Sequence, residues 1–74
     1  MKTAWRVTVR GASYIVAAFG AAHAKHLMIK WFARAGSSIV KYTDIRARKA
    51  KEFAGWAAKE TSEDLFDESK LPRN

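Results

Sequence analysis

Alternating apolar and polar residues predict the first strand of the chain. In "TAWRVTVRG", Trp5, Val7 and Val9 fall at every second position, with polar residues between them. A period of two is the spacing of side chains on one face of a β-strand. Gly-Ala-Ser at residues 11–13 then predicts a hairpin turn, and "SYIVAAF", residues 13–19, predicts a second strand antiparallel to the first.

A helical spacing of apolar residues follows the two strands. In "AAHAKHLMIKWFARAG", residues 21–36, apolar side chains recur three and four positions apart and so share one face of a helix. They are Ala24, Leu27, Met28, Trp31, Phe32 and Ala35. Gly36 comes directly after them, and glycine commonly ends a helix because it tolerates the left-handed conformation. The pattern predicts an amphipathic helix that covers the sheet.

The next stretch predicts a third strand and a second helix. The run "SSIVKYTDI", residues 37–45, is rich in β-branched residues and favours an extended conformation, so it predicts a strand at about residues 38–46. Asp44 would also suit the N-cap of a helix that begins at Ile45. Residues 43–60 are therefore either a strand followed by a helix or one helix. In both cases "AKEFAGWAAKE" is helical, with Phe53 on its apolar side.

The elements, in the order ββαβα, predict one small α+β domain over residues 1–60. Its antiparallel sheet, a hairpin plus a third strand, would be covered by one or two helices. We expect these helices to pack on one face, since a hairpin needs a cover for its apolar side. Residues 61–74 are acidic and short of apolar side chains, so we expect a mobile C-terminal tail.

Charge is distributed unevenly along the chain. Fourteen Lys and Arg stand against seven Asp and Glu, which gives a net charge of +7. Residues 1–51 hold eleven of the basic residues and one acidic residue, Asp44, so this part carries +10 and residues 52–74 carry −3. A basic body with an acidic end suggests a polyanion or an acidic protein surface as partner. Charge that serves only solubility is the plainer alternative.

The N-terminal part imitates a secretory signal peptide. Lys2, Arg6 and Arg10 precede a short apolar run that ends in Ala-His-Ala at residues 22–24, which is the usual layout of such signals. The strand-like alternation of "WRVTVR" argues against a signal. The run is also too short to cross a membrane, which takes about twenty apolar residues. We therefore expect a cytoplasmic protein that does not bind membranes.

Few residues offer catalytic or metal-binding chemistry. The chain has no cysteine, which excludes a thiolate zinc site and a cysteine nucleophile. His23 and His26 lie three residues apart, but further ligands are lacking and we expect both to face solvent. Asp44 stands alone among basic residues and cannot supply paired carboxylates for acid–base catalysis. The sequence predicts a protein that is not an enzyme and holds no cofactor or metal.

The basic residues are the strongest candidates for a binding site. Arg6 and Arg10 fall on the strand face opposite Trp5. A basic stripe lies along the first helix, opposite its apolar stripe, and consists of His23, His26, Lys30 and Arg34. A dense group of cations follows in "KYTDIRARKAK". The predicted partner-binding residues are Arg6, Arg10, Lys30, Arg34, Lys41, Arg46, Arg48 and Lys49. If they share one side of the domain, they form a single electropositive surface.

The run from "WRVTVRG" to "DIRARKA", roughly residues 4–50, resembles small proteins of phages and prophages. The likeness lies in the hairpin, the helix that ends in "ARAG", and the "DIRARKA" that follows. The position of such proteins among accessory genes is similar to that of anti-CRISPR proteins. Anti-CRISPR proteins are typically small, intracellular, single-domain and non-enzymatic, and many of them cover a nucleic-acid-binding surface of a CRISPR effector.

The basic charge of this chain departs from that family's pattern, since most known members are acidic or near neutral. The resemblance therefore implies contact with guide RNA or with an acidic protein surface, and not mimicry of DNA. It assigns no role to any single residue.

These observations lead to three functional hypotheses. The first is a phage-encoded inhibitor of a bacterial defence nucleoprotein complex, which acts in the host cytoplasm by steric occlusion through its basic surface. A bacterial protein or ribonucleoprotein complex such as a CRISPR effector would be its partner. The second is a small basic phage protein that binds RNA or DNA phosphates directly. The third is a homo-oligomeric assembly subunit, in the simplest case a homodimer.

Overall fold

The structure, a computed structural model, describes residues 1–36 and 41–73. Within these ranges the strands and helices are β1 (Thr3–Val9), β2 (Ala12–Ala18), α1 (Ala21–Arg34), β3 (Arg46–Lys49) and α2 (Ala54–Lys59). Short 3-10 turns lie at Tyr42–Asp44, Lys51–Phe53 and Glu68–Lys70. The strands form one antiparallel sheet in the order β2-β1-β3. The predicted α+β fold and its ββαβα order are confirmed.

A two-residue turn made of Arg10 and Gly11 joins β1 to β2. Val9 pairs with Ala12 across it, and the two turn residues have positive φ angles of 50° and 81°. Positive φ at both central positions suits the right-handed twist of a hairpin, and glycine adopts it without strain. The turn begins one residue earlier than predicted because Ala12 already belongs to the ladder.

Helix α1 ends as its sequence predicts. Ala35 is the C-cap, and Gly36 follows with a φ of 88°, which is the left-handed position that glycine favours after a helix. Arg34 lies in the last turn, where a cation suits the negative end of the helix dipole. None of the described helices is both long and apolar enough to cross a bilayer.

The sheet is buried on both faces, since neighbouring residues of a strand point to opposite sides. The core between the sheet and α1 contains Val7, Val9, Val16, Ala18, Ala24, Leu27, Met28 and Ile45. The core on the other face, under α2 and the turn before it, contains Ala4, Ile15, Ala17, Ala50, Phe53 and Ala57. The prediction that the helices pack on one face is therefore wrong.

The third strand lies later in the chain than predicted. The prediction placed it at residues 38–46, of which 38–40 lie outside the described residues, and a 3-10 turn occupies Tyr42–Asp44. β3 instead pairs with the middle of β1, which lets Ile45 and Ala50 at its two ends be buried, one in each core. Of the two alternatives for residues 43–60, the structure has the strand followed by the helix.

Residues 60–68, here called the acidic segment, meet the outer edge of β2 at one bridge. Ile15 and Phe66 exchange two backbone hydrogen bonds, with N···O distances of 2.8 and 2.9 Å. Leu65 packs against the core under α1, and the rings of Phe66 and Trp56 meet edge to face with centroids 5.2 Å apart. The boundary at residue 60 and the mobility of residues 61–74 stay predictions.

Phe53 tests the core under α2. Its side chain is fully buried, and Phe→Ala substitutions in cores cost about 3–5 kcal/mol. We expect Phe53→Ala to lower the free energy of unfolding by that amount, which would leave much of so small a domain unfolded. Phe19→Ala is the matched control because Phe19 is 66% exposed, and it should cost less than about 1 kcal/mol. Equal losses in urea unfolding would contradict the second core.

Candidate anion-binding site

The predicted cations do not share one side of the molecule. Arg6, Arg46 and Arg48 belong to the sheet face that α2 partly covers, because they alternate with residues buried under α1. Lys30 and Arg34 lie on α1, which covers the opposite face. The fold thus separates the predicted surface into two groups with the sheet between them.

The remaining three predicted cations lie at the rims of the sheet. Arg10 is part of the β1–β2 turn, Lys41 directly precedes the turn at Tyr42–Asp44, and Lys49 ends β3 on the side of α1. All three are exposed. None of them extends the group formed by the three arginines of the other face.

Arginines and a threonine line a shallow depression across β1 and β3. Arg48 lies directly opposite Arg6 in the ladder, and Arg46 lies opposite Thr8. Residues in such positions have Cβ atoms about 4.5–5.5 Å apart. The depression has a volume of about 290 Å³ and is lined by these four side chains, which we call the arginine cluster. The sheet register therefore assembles the cluster from two separate parts of the sequence.

Arg6 is the member of the cluster that forms ion pairs with carboxylates of the same chain. Its Nη2 donates hydrogen bonds to Glu52 Oε1 at 2.7 Å and to Glu68 Oε2 at 2.8 Å. These bonds, the one to Glu68 first, raise the pKa of Arg6. A hydrogen bond from its own backbone amide, and next the one from Arg6, lowers the pKa of Glu52. Arg6 therefore ties the sheet to the segments before and after α2.

Arg46 and Arg48 differ from Arg6 in having no such partner. Both side chains are exposed, and within residues 1–36 and 41–73 neither makes an ion pair with a carboxylate. They lie two positions apart on one strand, so their Cα atoms are about 7 Å apart and their side chains leave the same face. Guanidinium groups bind carboxylates and phosphates with two parallel hydrogen bonds. This pair is the part of the cluster that can bind an anion from outside.

The basic stripe on α1 faces the acidic segment. Lys30 Nζ lies 4.0 Å from Glu63 Oε1, and Arg34 Nη2 lies 3.9 Å from Asp64 Oδ1. The cations remain 53% and 65% exposed, and ion pairs of this kind contribute about 0–1 kcal/mol. The described carboxylates therefore partly neutralise the α1 stripe and form no ion pair with Arg46 or Arg48.

The two histidines have different surroundings. His26 is exposed, as predicted. His23 is only half exposed: its ring stacks on Phe19 with centroids 5.5 Å apart, and its Nδ1 accepts a hydrogen bond of 3.1 Å from the Phe19 amide. Its Nε2 lies 3.7 Å from Glu63 Oε2. Among the side chains that the structure describes, no three His, Cys, Asp or Glu come together as metal ligands.

Sequence reasoning missed the two carboxylates that hold Arg6. Glu52 and Glu68 are 46 and 62 positions away from it along the chain, so no local pattern connects them. The excess of acidic residues in 52–74 was the available signal, and it indicated an acidic end without indicating its position.

Guanidinium side chains give the arginine cluster the chemistry that binding an anion requires. No family model, curated protein or solved structure matches this chain.

The hydrogen bonds to the Glu52 carboxylate, from its own backbone amide and from Arg6, should make the stability depend on pH. Folding lowers the pKa of Glu52 below its unfolded value of about 4.3, so folding favours the ionised carboxylate. This contribution is fully present above about pH 5 and is lost as the pH falls through the folded-state pKa. We expect Glu52→Gln to lower the free energy of unfolding at neutral pH and to flatten its decline in acid. Urea unfolding at a series of pH values measures this, and parallel curves for the two proteins would contradict it.

Proposed function

We propose that the protein is a non-enzymatic docking module that inhibits a bacterial ribonucleoprotein complex in the host cytoplasm by steric occlusion. The contact surface would be β3 with the arginine cluster. The observation that carries this proposal is the exposed pair Arg46 and Arg48, which lacks an acidic partner among the described residues while Arg6, Lys30 and Arg34 each face one.

The setting of the pair favours docking to a broad surface. Arg46 and Arg48 stand on a strand whose ladder to β1 fixes their spacing, and the depression beside them is shallow. A rigid backbone lowers the entropy lost when such side chains bind. Charged groups arranged in this way steer the encounter and select a partner of opposite charge.

The class of partner comes from the resemblance of residues 4–50 to small phage proteins of the anti-CRISPR type. A CRISPR effector offers phosphates of its guide RNA and acidic patches of its protein subunits. Both fit guanidinium groups, and both fit the charge of +10 on residues 1–51. The partner we propose is therefore such a complex. The protein would contact it at the surface with which the complex binds nucleic acid.

Direct binding of nucleic acid is the second candidate function. The same exposed pair with the hydroxyl of Thr8 beside it could track a phosphate backbone, and the net charge of +7 favours it. The two carboxylates bonded to Arg6 would repel a continuous phosphate chain that ran over the whole cluster, whereas a contact confined to Arg46 and Arg48 avoids them. This repulsion places direct binding second.

Replacing the two arginines tests the docking proposal. We expect Arg46→Gln with Arg48→Gln to lower affinity for the target complex at least tenfold, since each hydrogen bond to a charged group contributes about 1.5–3 kcal/mol. Inhibition of target-DNA cleavage by a purified CRISPR effector, together with calorimetry, measures the loss. Capture from a CRISPR-bearing lysate, with and without nuclease, selects the effector to purify.

The matched control is Lys25→Gln with Lys59→Gln. It removes the same charge outside the arginine cluster, since Lys25 lies on α1 over the Tyr42 ring and Lys59 ends α2. We expect it to inhibit like the unchanged protein. Full inhibition by the arginine variant, with its fold intact by circular dichroism, would reject the proposal. Capture that nuclease abolishes would favour the second candidate.

Salt dependence tests the second candidate separately. If Arg46 and Arg48 each neutralise one phosphate of single-stranded RNA, the slope of log K against log salt should change by about −0.7 per contact. Replacing both by Gln should then reduce the slope by about 1.4. Fluorescence anisotropy with random-sequence RNA measures it. No binding at low salt would eliminate direct nucleic-acid binding.

A further inference from the structure

The two edges of the sheet differ in what covers them. β2 forms one edge, and the acidic segment adds to it through the two hydrogen bonds between Ile15 and Phe66. β3 forms the other edge. The Ala50 amide donates to the Ala4 carbonyl at 2.9 Å, which fixes the alternation of the ladder. The backbone groups of Ala47 and Lys49 therefore point away from β1.

These outward groups have no partner in the described part of the chain. The loop, turn and cap hydrogen bonds of residues 1–36 and 41–73 include none from Ala47 or Lys49. Two amides and two carbonyls thus form a short open edge, which is a template for another strand.

The covered edge shows what kind of segment this fold takes as an added strand. Leu65 and Phe66 of the acidic segment contact the cores on the two sides of the sheet. Their acidic neighbours lie near cations on both sides: Glu63 is 4.0 Å from Lys30, and Glu68 is bonded to Arg6. Backbone bonds and carboxylate–cation pairs together attach this segment.

β3 offers the same elements to a second segment. Arg46 and Arg48 flank the open edge on the face of the sheet under α2, and Lys49 flanks it on the face of α1. Between them lies Ala47, which is half-buried against the core. Carboxylates opposite the three cations and a small apolar residue opposite Ala47 would complete the pattern.

We propose that β3 binds an extended acidic peptide segment of a partner protein as a fourth, antiparallel strand. This rests on the proposed docking function and specifies how the partner is held. A second copy of β3 does not fit, because pairing would bring arginine and lysine against arginine and lysine, and like charges directly opposite destabilise a sheet. A nucleic acid fits less well, since its phosphates accept hydrogen bonds but cannot donate to the carbonyls of Ala47 and Lys49.

The probe for this inference is the synthetic peptide TEEVET, acetylated and amidated at its ends. In antiparallel register the first glutamate of the peptide lies opposite Lys49 and the second glutamate opposite Arg48. The valine lies opposite Ala47, and the third glutamate lies opposite Arg46. The matched control carries N-methyl groups on the first glutamate and the valine. It keeps every charge but loses the two amides that would donate to β3.

We expect TEEVET to shift the amide resonances of Ala47 and Lys49 in a ¹⁵N-labelled sample and to slow their hydrogen exchange. The N-methylated peptide should bind at least tenfold more weakly, since it loses two backbone hydrogen bonds to β3 and the strand geometry that they hold. Arg46→Gln with Arg48→Gln should weaken TEEVET by a similar factor.

Each other outcome overturns the inference in a recognisable way. Equal binding of the two peptides would leave charge as the cause and reject strand addition. No shift with TEEVET, but a shift of the same amides with oligouridylate, would assign the edge to nucleic acid. The docking function fails on a different result, namely continued inhibition of the effector by the arginine variant, so the two proposals can fail independently.

Discussion

A short chain has to bury both faces of a three-stranded sheet, and the rest of this structure depends on that constraint. β1 is the central strand, with Val7 fully buried on one side and Ala4 fully buried on the other. The fourteen residues of α1 cover the first face, and the second is left to the six residues of α2 and the turn before it. So short a helix cannot cover the whole face, and the uncovered part is the arginine cluster.

The sequence predicted the elements whose signal is local and failed where tertiary pairing decides. The alternation of Trp5, Val7 and Val9 was sufficient to predict β1. The recurrence of apolar residues three and four positions apart, as from Ala24 to Leu27 and Met28, was sufficient to predict α1. The sequence did not predict the second core, because the sheet side of this core consists largely of alanines. Alanines such as Ala4, Ala17 and Ala50 give little hydrophobic signal in a sequence. The position of β3 was not predicted because "RARK" has low β-propensity. This stretch becomes a strand by pairing with β1. Its position decides where the candidate site lies.

Chain order also determines which cations stay available. Six of the seven acidic residues follow residue 51, and the acidic segment, which carries five of them, lies beside β2 and α1. The acidic segment therefore reaches Arg6 on the central strand and the cations of α1. β3 lies beyond β1, at the edge of the sheet opposite to β2. Within the arginine cluster, Arg46 and Arg48 are thus the arginines that no described carboxylate neutralises, and this follows from a long-range arrangement that composition does not record.

The two sheet edges solve one problem by different means. An exposed edge strand invites pairing with other chains, and proteins blunt it by covering it, shortening it or charging it. β2 is bridged at Ile15 by the acidic segment, whereas β3 is four residues long and three of them are cations. Charge repels another copy of the same edge and disfavours an apolar strand, which would bury those cations unpaired. It does not repel an acidic strand, so the charge that disfavours pairing with another copy of β3 would favour the acidic strand proposed above.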